Sequence, residues 1–219
     1  SELTRQIFLK EYPIDPARVV IIHPGVHLPN DAQKDKTNIR VSIRRELGIG
    51  TDELVVIFAS MNFEIKGLDE IFLAIARLPK QNSPLKLIVA GKGNIKKYRK
   101  AAQKAGIAGQ VIFTGVVTRE RLTDLYQAGD LYMMLSQFDT FGMVVLEAMA
   151  AGLPAIVSSN VGAKDLVQEG KNGFVIADTS NRDLIASKIQ MMFDDAVRRR
   201  MSDAAYQTAT QNTWARTAA

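Results

Sequence analysis

Short apolar runs alternate along this chain with longer segments whose apolar residues recur at helical spacing, and this alternation constrains the fold most. The runs Val19–Ile22, Leu54–Ala59, Leu85–Ala90, Val111–Phe113, Asp130–Leu135, Ala155–Ser158 and Phe174–Ile176 read as buried strands. Between them, Leu68–Leu78, Lys96–Ala105, Arg119–Ala128, Met143–Ala151 and Asn181–Phe193 read as amphipathic helices. Strands without a polar face need cover on both sides, which a parallel sheet between two helical layers supplies. The expected class is therefore α/β, a doubly wound parallel sheet flanked by helices. Sheets of this kind bind ligands outside the carboxyl ends of their strands, so the segments that follow strands are the ones to search for chemistry. The polar stretch Pro29–Thr37 reads as a loop, and residues 1–219 as one domain without internal repeats. The opening Ser1-Glu2-Leu3-Thr4 carries no initiator Met or targeting pattern and reads as the start of an excised segment.

Composition narrows the chemistry by exclusion. The chain has no cysteine, which removes disulfides and thiolate metal sites, and its two histidines, His23 and His27, are too few for a His-rich metal cluster and read as loop residues near a strand end. No apolar run approaches the roughly 20 residues that cross a bilayer. A formal net charge of +5 and a pI near 9.4 favour anionic partners such as nucleotides, phosphates or lipid headgroups. The basic stretch Lys92, Lys96, Lys97, Arg99, Lys100 and Lys104 reads as a solvated helix face, because it lacks the interleaved aromatics of a nucleic-acid platform.

The segment Gln137–Pro154 is the richest. A strand ends before it, Asp139 and Thr140 offer helix-capping chemistry, and Gly142 permits close backbone approach to a ligand. Glu147 is the only charged residue of the helix Met143–Ala151. Burying a carboxylate costs several kcal/mol unless it is paired, so Glu147 needs a partner. A ribose diol would serve, since one carboxylate accepts from both hydroxyls, and the free N–H groups at the helix start would suit a phosphate. Alternatively Asp139 only caps the helix and Glu147 pairs with a Lys or Arg elsewhere; spacing does not choose between these. Lys66, at the start of another helix after strand Leu54–Ala59, could face an anion together with the helix dipole, or could be an exposed turn lysine. Gly91-Lys92-Gly93 lacks the third glycine of a dinucleotide fingerprint, Lys96 standing in its place, which disfavours NAD or FAD.

Several of these segments together resemble the retaining GT-B-fold glycosyltransferases of the large group-one family. The family's E-x7-E motif stands here as Asp139-x7-Glu147, followed by Ala148-Met149-Ala150-Ala151-Gly152-Leu153-Pro154. The likeness continues in Ser158-Ser159-Asn160-Val161-Gly162, Glu169–Phe174, Ile22–Val26, Lys66-Gly67 and Ile112–Gly115, and so covers the whole chain. It implies a Rossmann-like sheet forming the C-terminal half of a GT-B fold, similar in layout to lipopolysaccharide-core glucosyltransferases that use UDP-glucose. On this resemblance Glu147 holds the ribose hydroxyls and Asp139, where the family usually has Glu, touches the transferred sugar. The amides around Phe141, Gly142, Met143 and Val144 meet the diphosphate, as does Lys66. No Arg stands between Ser60 and Lys66, where members of the family often have one. Gly91 borders the nucleotide, and Gly115 and Val116 belong to the turn that contacts the base through backbone groups.

The resemblance implies transfer of a hexose, with UDP-glucose the first donor to consider, to an acceptor hydroxyl with retention, in lipopolysaccharide or another cell-envelope glycan. It implies no cofactor and no protein-bound metal, because Lys66 and the helix amides neutralise the leaving diphosphate. The implied partners are a nucleoside-diphosphate sugar and an N-terminal domain of the same enzyme that carries the acceptor site, with peripheral membrane contact at the cytoplasmic face and no nucleic acid. Two other readings share the architecture: a nucleotide-sugar epimerase or hydrolase, and a non-catalytic nucleotide-binding module.

Overall fold

The computed structural model describes residues 1–28, 36–79 and 84–218. In chain order these residues form α1 (Glu2–Glu11), α2 (Lys36–Glu46), β1 (Leu54–Ser60), α3 (Leu68–Ile75), β2 (Leu85–Gly91), α4 (Ile95–Lys104), β3 (Val111–Gly115) and α5 (Arg119–Ala128). There follow β4 (Leu131–Met134), α6 (Met143–Ala150), β5 (Ala155–Ser158), β6 (Gly173–Ile176), α7 (Arg182–Met191), α8 (Asp195–Gln211) and the short α9 (Trp214–Thr217). The six strands pair in parallel in the order β3-β2-β1-β4-β5-β6, a doubly wound Rossmann-like sheet.

The unbroken apolarity of the strands has a direct structural cause. Along β1, Val55, Ile57 and Ala59 enter one core while Leu54, Val56 and Phe58 enter another. The first core is closed by Ile43 of α2, Leu125 of α5, Leu146 of α6 and Ala205 of α8; the second by Phe72 of α3, Tyr98 of α4 and Ile185 of α7. Each fully buried Leu, Ile or Phe contributes roughly 1.5–3 kcal/mol over the exposed state. Helices α3 and α4 therefore cover one face on the way out to β3. The chain then returns through α5 to β4, beside β1, and covers the other face.

At the amino ends of the strands Asp130, just before β4, ties the layers together. Its carboxylate accepts from Arg40 (2.5 Å), Arg44 (2.6 Å) and the Val55 amide (2.8 Å). Arg40 also donates to the carbonyls of Gln127, Ala128 and Gly129 at the end of α5, where the helix dipole favours a cation. Burial holds the Arg44 guanidinium below its usual pKa while Asp130 opposes the shift.

Two expectations need correction, and helices α1 and α2 were not foreseen. Val19–Ile22 forms no strand: Val20 is 78% and Ile22 71% exposed, and no strand of the sheet lies alongside. β-branched apolar residues favour extended backbone, which Val19 adopts (φ −104°, ψ 106°), but a strand also needs an edge to pair with. Of the loop expected at Pro29–Thr37, residues 29–35 lie outside the described residues, and Lys36 and Thr37 begin α2. Helices α1 and α2 were not among the expected helices; α1 buries no residue, and α2 buries Ile43 and Arg44.

Candidate active site

The order in which strands are added reverses between β1 and β4, and their following helices, α3 and α6, leave on opposite faces. The loops between strand and helix meet at this point, the place where such sheets bind ligands. After β1 the chain turns through Gly67, whose backbone is left-handed (φ +77°); a Cβ there would lie 2.1 Å from the Leu135 carbonyl oxygen. Only glycine lets the two loops come this close.

That approach sets Lys66 beside Asp139. The ammonium lies 2.7 Å from Asp139 Oδ2 and 3.3 Å from the Phe138 carbonyl oxygen. The buried hydroxyl of Ser136 lies 3.1 Å from the Ile65 carbonyl and 2.9 Å from the Phe138 carbonyl, and accepts from the Phe138 amide. The Gln137 amide donates to the Ile65 carbonyl (2.8 Å), and Ser158 Oγ donates to the Ser136 carbonyl (2.5 Å). These small polar residues fix the loop that carries Lys66 against the loop that carries Asp139. Sequence reasoning missed them, because a serine after an apolar strand carries no signal of the loop it will meet.

Asp139 does not cap α6. The N-cap is Gly142, left-handed at φ +90° and without a capping side chain. Asp139 Oδ1 instead accepts from the Phe141 amide (3.1 Å), while its amide donates to the Asn160 carbonyl and its carbonyl accepts from the Gly162 amide. Its free carboxylate edge is thus turned to Lys66. The amides of Gly142, Met143 and Val144 meet no acceptor among the described residues, leaving the start of α6 open to an anion. The ring of His23 packs on Phe141 (5.7 Å between centroids), and its Nε2 lies 3.1 Å from Asp165 Oδ2. His23 is thus a loop residue as expected, though no strand precedes it.

Glu147 faces a separate recess one turn further along α6. It is half-buried and its carboxylate makes no hydrogen bond or ion pair among the described residues, so the Lys or Arg partner of the alternative reading is not there. Burial pushes its carboxyl above the ordinary value, and Arg119 pulls partly in the other direction. A cavity of about 50 Å³ adjoins it, walled also by Arg119, Thr123, Tyr126, Val26 and His27. Lys66 and Asp139 do not line it.

Gly91 and Gly115 end β2 and β3 on the same side of the sheet, and Val116 is exposed at the rim. Neither they nor Val116 line the Glu147 recess. Gly91 has a packing reason of its own: a Cβ there would sit 1.8 Å from the Ser60 carbonyl oxygen.

The family model described as glycosyl transferases group 1 matches residues 40–208. A D-inositol 3-phosphate glycosyltransferase of Streptomyces scabiei is 32% identical over 178 residues, covering 77% of this chain and 39% of its own length. An uncharacterized glycosyltransferase of Methanocaldococcus jannaschii is 30% identical over 157 residues, covering 71% of this chain and 40% of its own. The chain therefore spans less than half the length of these curated relatives. Among solved structures, the fold superposes on WaaG, a glycosyltransferase of lipopolysaccharide biosynthesis, with a TM-score of 0.79 at 24% identity, over 94% of this chain and 56% of that one. It superposes on Anabaena Alr3699/HepE in complex with UDP and glucose with a TM-score of 0.81 at 23% identity, over 97% and 57% of the two chains. With three-quarters of its length matched by one family model, arranged on the sheet just described, this chain belongs to the group 1 glycosyl transferases.

Proposed function

We propose that residues 1–219 are the donor-binding part of a retaining hexosyltransferase that uses a nucleoside-diphosphate sugar. The observation that carries this reading is Glu147, a half-buried carboxylate with no side-chain partner among the described residues, one turn beyond helix amides that meet no acceptor among them. A ribose diol satisfies the first and a diphosphate the second. Lys66 neutralises the departing diphosphate and Asp139 meets the transferred sugar. Gly91, Gly115 and Val116 border the nucleoside. UDP-glucose is the first donor to test, supported by the likeness to a structure solved with UDP and glucose.

The acceptor site lies on the remainder of the polypeptide, which works at the cytoplasmic face of a membrane in contact with its surface. No helix among the described residues is long and apolar enough to cross it. The names of the similar proteins suggest two acceptor classes to test: a lipopolysaccharide precursor, since WaaG takes part in lipopolysaccharide biosynthesis, or a phosphorylated cyclitol, after the D-inositol 3-phosphate glycosyltransferases. Calorimetry of UDP-, ADP- and GDP-sugars against the full-length protein, followed by turnover assays with both acceptor classes, tests the reading. Absence of binding to any nucleotide overturns it.

A further inference from the structure

The recess beside Glu147 contains a second unpaired charge. Arg119, exposed in the first turn of α5, makes no ion pair or side-chain hydrogen bond among the described residues. Its neighbour Glu120 is turned to solvent and hydrogen-bonded to Thr118; it feels the charge of Arg119 but forms no salt bridge with it. Arg119 is also the charged side chain that acts on the Glu147 carboxyl, yet the two do not pair; they share the walls of the cavity of about 50 Å³.

The chemistry of those walls selects what can enter. An anion is repelled by the carboxylate, and an ammonium by the guanidinium. A hydroxyl satisfies both, donating its proton to Glu147 and accepting from Arg119 on its oxygen. The space suits hydroxyl-sized groups, which need roughly 10–15 Å³ each. The other charged or titratable groups that line the recess are His27 and Tyr126, whose buried hydroxyl has no partner among the described residues.

We propose that Arg119 is a donor-recognition residue that donates to the oxygen of the ribose hydroxyl whose proton Glu147 accepts. The inference rests on the donor-binding reading above and adds to it a discrimination: the site senses whether the hydroxyl is present. An analogue without it leaves the half-buried Glu147 carboxylate unsatisfied, a loss larger than that of a missing apolar contact, and removes the acceptor that Arg119 would meet.

Calorimetry on the full-length protein with UDP, GDP, ADP, their 2′-deoxy and 3′-deoxy counterparts, and the free nucleosides tests this. The native protein should bind one ribonucleotide about tenfold or more better than one of its deoxy forms. Arg119→Met, which keeps the apolar stem, should weaken the ribonucleotide several-fold and leave that deoxy form unchanged, so that the ratio falls while the hydrogen bond to Glu147 keeps it above one. Arg119→Lys should recover part of the ratio. An unaltered ratio in Arg119→Met, or an equal loss for both forms, overturns the assignment. So does a loss seen with diphosphates and absent with nucleosides, which places Arg119 on the phosphates. If nucleotide binds and only the ratio fails, Arg119 alone is reassigned; if none binds, the donor-binding reading falls and takes this inference with it.

Discussion

Lys66 Nζ lies 2.7 Å from Asp139 Oδ2, so two residues that the proposed function assigns to different parts of the donor are partners of one another. Both side chains are about four-fifths buried, which screens the pair less than a surface ion pair. On the proposed function, a diphosphate at Lys66 would compete with Asp139 for the ammonium and free that carboxylate for a sugar hydroxyl.

Removing either partner should separate the two roles. Lys66→Ala should weaken UDP by roughly 1.5–3 kcal/mol, the range for hydrogen bonds to charged groups, and leave uridine nearly unaffected. Asp139→Ala removes the competitor, so UDP affinity should hold or rise while turnover falls at least tenfold. Calorimetry and a transfer assay on the full-length protein decide. Full turnover by Asp139→Ala would reduce Asp139 to a holder of Lys66.

Glu147→Gln should lower nucleotide affinity by roughly 1–3 kcal/mol and raise the stability of the nucleotide-free protein. Burial lifts the folded carboxyl above its ordinary value of 4.5, so the folded state holds this proton more tightly than the unfolded state does. Its favourable term is complete below that ordinary value and is lost as pH rises through the raised one, leaving a cost at neutral pH. Thermal unfolding of both proteins from pH 4 to pH 8 checks this: their difference should grow with pH. A pH-independent difference would contradict it.

Asp130→Ala should destabilise the fold by about 3–5 kcal/mol, because it leaves the buried Arg44 guanidinium without its counter-charge. Urea unfolding measures the loss. A cost below about 1 kcal/mol would mean that the backbone carbonyls around Arg44 suffice.

Gly67→Ala forces a left-handed backbone on a residue with a Cβ and drives that Cβ into the Leu135 carbonyl. The expected cost is roughly 2–5 kcal/mol, combining the conformational penalty with overpacking. UDP binding should weaken more than uridine binding, since the displaced loop carries Lys66. Equal stability of mutant and parent in chemical denaturation would refute the close approach.

The sheet was legible because its strands are apolar on both faces, and Leu54–Ser60 or Ala155–Ser158 can be buried in few other ways. Val19–Ile22 has the same composition and failed, since apolar content specifies burial or pairing without naming the partner. Within the candidate site, Glu147 stood out as a lone charge on an apolar helix, and Lys66 and Asp139 through motif order. Ser136, Arg119 and the Lys66–Asp139 pairing did not, because each depends on loops from distant segments meeting at the reversal of the sheet.

That reversal also sets a timetable. Lys66 and Asp139 are 73 residues apart, and they can meet only after β4 has docked beside β1. At roughly 5–20 residues per second of synthesis, the lysine leaves the ribosome on the order of 4–15 s before its partner. During that interval β1 can pair only with β2, and its other edge waits for a strand made later. Nucleotide binding on a nascent chain would therefore report the closing of the long-range β1–β4 contact, the step of highest loop-closure entropy in the sheet.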